Sequence, residues 1–164
     1  KELDWIESVV LTSNISTLGI CLGAQQIARV LGASVFPHND GLVEIGYREI
    51  SPTDNGANFL AEPMPFYQWH SETFEMPRGA VHLACSDDFP NQAYSYGGHI
   101  HGIEFHPEIT SEMINSWCNS ETGRPKLELL GADSHAHQIQ NHKIYSEKVC
   151  KWLDFFLGNI FSAY

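Results

Sequence analysis

Gly19-Ile20-Cys21-Leu22-Gly23-Ala24-Gln25 stands between two runs of different rhythm. Before it, Ser13-Asn14 breaks a helical pattern and Ile15 to Ile20 reads as a short buried strand. After it, Ala24, Ile27, Ala28 and Leu31 recur at i, i+3, i+4 and i+7, one face of a helix, and Gly32 is placed to cap its end. Strand, tight turn and helix predict an α/β layer architecture. A cysteine with glycines two residues to either side has the mechanics of a nucleophile elbow. A sharp turn strains the backbone at the nucleophile, and the glycines remove side chains that would clash. A sulfur near a helix N-terminus is expected to have a lowered pKa. The backbone N–H of Leu22 would face a developing oxyanion. A buried cysteine in a helix-start turn is the plainer alternative.

Outward from this junction, Leu3, Ile6, Val9 and Val10 mark an amphipathic helix over residues 1–12. Strands are predicted at Ala33–Phe36, Leu42–Ile50, Phe66–Trp69, Ala80–Ala84, Gln92–Tyr96 and His101–Phe105, separated by turns rich in Pro, Gly, Asn and Asp. In Leu42–Ile50, Val43, Ile45 and Tyr47 alternate with Glu44, Gly46 and Arg48, which places the two sets on opposite faces. Met113, Ile114 and Trp117 suggest a short helix that stops before Gly123-Arg124-Pro125. A last helix from about Lys143 carries Tyr145, Val149, Trp152, Leu153, Phe156 and Ile160 on an apolar stripe. No repeat or linker divides residues 1–164, so one domain is expected.

A thiolate needs a base, and Gly102-Ile103-Glu104-Phe105-His106-Pro107-Glu108 ends a predicted strand. Proline biases His106 toward extended backbone, where residues i and i+2 share a side. Glu108 can then fix the His106 tautomer and stabilise the imidazolium. Alone, His-Pro-Glu is a weak signal; paired with the cysteine elbow it is a strong one.

These two motifs, about eighty residues apart, resemble those of the class I (triad) glutamine amidotransferases. Val43-Glu44-Ile45-Gly46-Tyr47, the run Gln68-Trp69-His70-Ser71-Glu72-Thr73-Phe74 with Pro77, and Leu83-Ala84-Cys85-Ser86 resemble segments of the GMP-synthase-like subgroup. The resemblance extends from about Trp5 to the last helix. It implies a flavodoxin-like, doubly wound mixed α/β sheet. It also implies that Cys21 attacks the side-chain amide of glutamine and forms a γ-glutamyl thioester. His106 would move the proton and Glu108 would orient it, with Leu22 as an oxyanion donor. Gly23 and Gln25, with Trp69, His70, Ser71 and Glu72, would form the substrate site. Relatives often have His-Gly-Asp where this chain has His70-Ser71-Glu72.

Family members carry three strands and a Gly-rich loop before the nucleophile, and that loop supplies the other oxyanion N–H. The chain opens Lys1-Glu2-Leu3-Asp4, with no initiator Met and none of these elements, so the N-terminal part of the domain is expected to be missing. A fragment, a processed piece and half of a split protein are the expected explanations. A γ-glutamyl peptidase with the same triad and a non-catalytic module of the same fold are the alternative functions.

Composition bounds these readings. The 164 residues are 43% hydrophobic and 12% aromatic, which excludes disorder. Nine Lys and Arg against 20 Asp and Glu give a net charge of -11, which repels nucleic-acid phosphates and anionic lipid. No apolar run is long enough to span a bilayer, and no signal peptide opens the sequence. Asn14-Ile15-Ser16 is therefore read as an accidental glycosylation match. Cys21, Cys85, Cys118 and Cys150 lack metal-like spacing, and reduced thiols fit a cytoplasmic protein. His99 with His101, and His135 with His137, have no evident third ligand, so no metal site is expected. No cofactor motif appears. The expected partners are glutamine or another γ-glutamyl small molecule, and any ammonia-accepting synthetase would be another polypeptide.

Overall fold

Ala93 and Tyr94 are adjacent in sequence but buried in different cores, because side chains alternate across a strand. The computed structural model describes residues 1–161. Its elements are α1 (Glu2–Thr12), β1 (Thr17–Ile20), α2 (Leu22–Val30), β2 (Val35–Pro37), β3 (Glu44–Pro52), β4 (Met64–His70), β5 (Glu72–Phe74), β6 (Val81–Cys85), β7 (Ala93–Tyr96), β8 (Ile100–Ile103), α3 (Ser111–Asn119), a 3-10 turn (Arg124–Glu128) and α4 (His135–Phe161).

The main sheet is ordered β1-β8-β7-β6-β3-β4, and β2 pairs with β5 in a separate antiparallel ribbon. The β1–β8 pair is parallel and the other pairs are antiparallel. One core joins α1 and α2 to the sheet through Val10, Ala24, Ile27, Ala28, Phe74, Tyr94 and Ile100. The other contains Phe66, Tyr67, Ile103, Phe105, Ile114, Cys118 and Val149, with α3 and α4 packed on it. Burial of each large apolar side chain stabilises the fold by roughly 1.5–3 kcal/mol. This is the mixed α/β architecture that the junction at Cys21 implies.

α2 is held to the sheet by Tyr94, whose hydroxyl donates to the Ala24 carbonyl at 2.8 Å. Gly102 leaves space for that ring: a Cβ there would come within 2.4 Å of it. At the other end of α2, Gly32 has φ +88, and the N–H groups of Gly32 and Ala33 bond the carbonyls of Arg29 and Ala28. These paired bonds close the helix C-terminus.

Several boundaries differ from expectation. α4 begins at His135, not near Lys143. Its first turns face the core through polar side chains, so apolar periodicity cannot reveal them. Gln138 accepts from the Tyr67 hydroxyl at 2.7 Å and donates to the Asp133 carbonyl, while His142 bonds the Tyr47 hydroxyl at 2.8 Å. β8 ends at Ile103, and the short strand β5 and the 3-10 turn were not anticipated by the sequence pattern. The second face of β3 is not a solvent face, since Glu44 is 1% exposed. His135 and His137 bond Asn115 and Asp133 separately and do not converge. Among the described residues, no helix is long and apolar enough to cross a membrane.

Candidate active site

The parallel pairing of β1 with β8 builds the site. Ile20 lies opposite Ile103, so both strands end at the same edge of the sheet. Cys21 follows Ile20 directly, and its N–H bonds the Ile103 carbonyl at 2.8 Å. Its φ of 48° and ψ of -108° are those of a strained elbow, and among the described residues it is the one non-glycine with positive φ. Gly19 is required by packing: a Cβ there would lie 2.6–2.7 Å from the backbone of Gly23 and Ala24. Gly23 is different, because a Cβ added there would meet nothing within 4 Å. The expected clash at the second glycine is therefore absent.

The Cys21 thiol pKa is pushed up to about 12. Burial is the main cause, and the Glu104 carboxylate adds to it, outweighing the Leu22 backbone N–H and Lys126, which pull it down. The lowered pKa expected at a helix N-terminus is thus overturned. α2 supplies its dipole, but desolvation and acidic neighbours dominate.

His106 leaves the segment after β8 with its N–H bonded to the Tyr67 carbonyl at 2.7 Å. Its Nδ1 lies 2.7 Å from Glu108 Oε1, the pairing that the His-Pro-Glu spacing predicts. That contact leaves Nε2 as the free face of the ring. Trp117 packs edge-on against the imidazole at 5.1 Å between centroids. Among the described hydrogen bonds, none joins the Cys21 thiol to His106. Catalytic hydrogen bonds are often long before substrate binds.

A cavity of about 140 Å³ brings Cys21 and Gln25 together with Trp69, His70, Ser71 and Glu72 from the end of β4 and the start of β5. Lys126, from the 3-10 turn, completes its wall. Gly23 lies elsewhere, in an apolar groove with Trp5, Val9 and Leu18. The Leu22 side chain is exposed and turned toward Gln26, Arg29 and Val35, so what it offers the cysteine is its backbone. A larger cavity of about 570 Å³, between Asn55, Phe59, His99, His101 and Phe156, contains neither Cys21 nor His106. The strained cysteine opens onto the smaller one, and His106 lines neither.

Beneath that cavity lies a buried polar network. His70 contacts Glu44 Oε2 through Nε2 at 3.0 Å and the Glu72 carbonyl through Nδ1 at 2.9 Å. Both partners are acceptors, an arrangement that favours a proton on each ring nitrogen. Burial alone would lower the His70 pKa, but the Glu44 bond and the charges of Glu104 and Glu44 raise it. Glu44 also accepts from Ser86 at 2.7 Å and Gln92 at 2.6 Å. Glu104 accepts from the Gln25 amide and lies 3.8 Å from His70 Nδ1. Burial pushes its carboxyl up to about 7 against the opposing pull of His70 and Gln25. The Gln25 amide nitrogen also reaches the Glu72 carbonyl at 3.3 Å, so the group it can offer a substrate is its carbonyl oxygen. His70 and Gln25 thus shape the cavity through their bonds to the protein. Lys126, Glu44 and Glu104 were missed as site residues; the signal for Glu104 was its place two residues before His106.

A family model described as glutamine amidotransferase class-I matches residues 3–116. A glutamine amidotransferase-like protein of Salmonella typhimurium is 33% identical over 109 residues, covering 63% of this chain and 45% of that protein. Gamma-glutamyl peptidase 5 of Arabidopsis thaliana is 33% identical over 105 residues, covering 59% and 41%. A glutamine-hydrolysing GMP synthase subunit of Thermococcus kodakarensis is 35% identical over 100 residues, covering 58% and 52%. The matched regions are thus about half of these relatives' lengths or less. The crystal structure of a glutamine amidotransferase from Thermotoga maritima superposes with a TM-score of 0.84 at 28% identity, covering 97% of this chain and 67% of that one.

Proposed function

The chain belongs to the class-I glutamine amidotransferase family, and from that premise we propose that it hydrolyses the side-chain amide of glutamine through Cys21, His106 and Glu108. The observation that supports this reading is the strained Cys21 elbow at the end of β1, with a His106–Glu108 pair in the segment that follows its parallel neighbour β8. The Cys21 thiol gives its proton to His106 Nε2 as its sulfur bonds the amide carbon. The Leu22 N–H faces the oxyanion. His106 then passes the proton to the departing nitrogen, the C–N bond breaks, and ammonia leaves a γ-glutamyl thioester. Water, deprotonated by His106, hydrolyses the thioester to glutamate and returns the thiol. Glu108 fixes the imidazole so that Nε2 faces the sulfur.

With a thiol pKa near 12, the resting nucleophile is protonated, so the proton must move as the substrate is attacked. The GMP synthase relatives support a synthetase, separate or fused, as the ammonia acceptor. Four free cysteines suit work in a reducing compartment such as the cytoplasm.

The test is glutamate release from glutamine by the chain and by Cys21→Ala. Turnover that disappears in Cys21→Ala supports the reading; equal turnover in both overturns it.

A further inference from the structure

The bond to Glu108 does not by itself fix the His106 ring. It pins one atom, Nδ1, and the χ2 torsion of histidine is broad, so the plane can still swing about that point. The Glu108 side chain is also 35% exposed, against 12% for His106, so water has access to the partner. Among the described hydrogen bonds, none holds Nε2 from the sulfur side. The second constraint on the ring is Trp117. Among the described ring pairs it is the one that meets the imidazole, at 5.1 Å between centroids and 73° between planes.

Trp117 is itself held on several sides. Its helix, α3, starts from Thr110 close behind His106, and the Thr110 hydroxyl accepts from the Met113 N–H at 3.2 Å. Ile114 and Cys118 are buried and anchor α3 on the core. The Trp117 carbonyl accepts from the N–H and the hydroxyl of Ser120, at 3.3 and 2.9 Å. Gly123 closes over that carbonyl so tightly that a Cβ there would collide with the oxygen. The indole then packs against Trp69 at 5.6 Å and Tyr67 at 6.2 Å. Tyr67 also accepts the His106 N–H through its carbonyl, so the backbone of the histidine and the ring that faces it are tied to one residue. Trp69 lines the Cys21 cavity; Trp117 does not.

We propose that Trp117 is a positioning residue, which holds the His106 plane so that Nε2 stays turned toward Cys21. The role rests on the amide-hydrolysis reading above. In that reaction His106 takes the thiol proton as sulfur attacks and then gives it to the departing nitrogen, and both transfers need the same alignment of Nε2. Glu108 sets the tautomer and Trp117 sets the plane. Because the indole stands outside the substrate cavity, its effect falls on turnover and not on binding.

The test compares the 164-residue chain with Trp117→Leu and Trp117→Phe on glutamine. Misplacement by about 1 Å costs on the order of 10²-fold, so Trp117→Leu is expected to lower kcat about tenfold or more, with KM within about twofold. Trp117→Phe keeps an aromatic ring against the imidazole and is expected to restore kcat to within about threefold of the unsubstituted chain. Turnover is counted per Cys21 that iodoacetamide labels at pH 9, so a misfolded fraction does not imitate the loss. A second readout needs no turnover. The Nδ1–H proton signal of His106 in the NMR spectrum is expected to persist in the unsubstituted chain and in Trp117→Phe, and to vanish by exchange with water in Trp117→Leu. An unchanged kcat or proton signal in Trp117→Leu, a loss carried by KM, or an equal loss in both variants overturns the positioning role and leaves the amide-hydrolysis reading standing. Absence of glutamine turnover in the unsubstituted chain overturns that reading instead, and the proton signal alone then decides whether Trp117 holds the ring.

Discussion

The side-chain amide of Gln25 donates to Glu104 across 2.5 Å, tying the helix that begins after Cys21 to the segment that carries His106. The acceptor is a buried carboxyl whose other oxygen has no partner among the described residues. The contact that aligns the two halves of the site is thus also a source of pH sensitivity.

Glu104→Gln is expected to stabilise the protein at pH 8 and to have a smaller effect at pH 5. A carboxyl whose folded pKa is raised to about 7 holds its proton in the folded state after the unfolded chain has lost its own. Stability is therefore lost as pH rises from the ordinary carboxylate range, about 4.3, through 7, and the full penalty applies above that. The raised pKa of His70 acts in the same direction: its contribution is complete below its ordinary range and fades as pH rises through the raised value. At about 1.4 kcal/mol per unit, the Glu104 penalty has a ceiling on the order of 4 kcal/mol. Urea midpoints at both pH values measure it, and a difference independent of pH would refute it.

Cys21 should alkylate slowly at neutral pH, with a rate rising about tenfold per pH unit from 7 to 9. A thiol with a pKa near 12 is far from half ionised throughout that interval, and the thiolate is the reacting form. In Glu104→Gln the rate at a given pH should increase, because a negative neighbour of the sulfur is removed. Iodoacetamide labelling followed by mass spectrometry reads both effects. A plateau beginning near pH 7 would contradict them.

The two glycines of the elbow should respond with opposite sign. Gly19→Ala forces a Cβ to within 2.6–2.7 Å of the Gly23 and Ala24 backbone and is expected to cost about 1–3 kcal/mol or more. Gly23→Ala places its methyl in open space inside α2 and should gain up to about 1 kcal/mol from helix propensity. Chemical denaturation of the two variants distinguishes them. Equal destabilisation would mean that the elbow packs differently.

Glu108→Gln keeps the size of the side chain that meets His106 Nδ1 at 2.7 Å but removes its charge. Loss of the fixed tautomer and of imidazolium stabilisation is expected to lower kcat for glutamine by roughly 10²–10⁴-fold. KM should change much less, because Glu108 does not line the Cys21 cavity. A change confined to KM would assign it another role.

Much of this arrangement was legible in the sequence where local chemistry and global fold agree. The run around Cys21 announces strand, turn and helix, and the proline after His106 announces the geometry that brings Glu108 to the ring. The sequence was silent where tertiary pairing decides. β5 has three residues and is a strand because β2 lies beside it. Glu44 follows a normal period of two, yet its face is buried because Ser86, Gln92 and His70 satisfy it there. Lys126 shows no pattern at all, and it reaches the site through a 3-10 turn whose position depends on packing against α3.

The pairing of Thr17–Ile20 with Ile100–Ile103 also has a consequence for synthesis. A ribosome makes Cys21 about eighty residues before the strand that gives it a neighbour. Until β8 inserts between β1 and β7, that cysteine lacks the Ile103 carbonyl that its N–H bonds in the folded protein. Closing this long loop has an entropic cost and is a slow, late kind of event in folding. Under the proposed mechanism, reactivity toward an amide therefore switches on at topological completion, and a nascent chain stalled before residue 100 carries Cys21 without that chemistry.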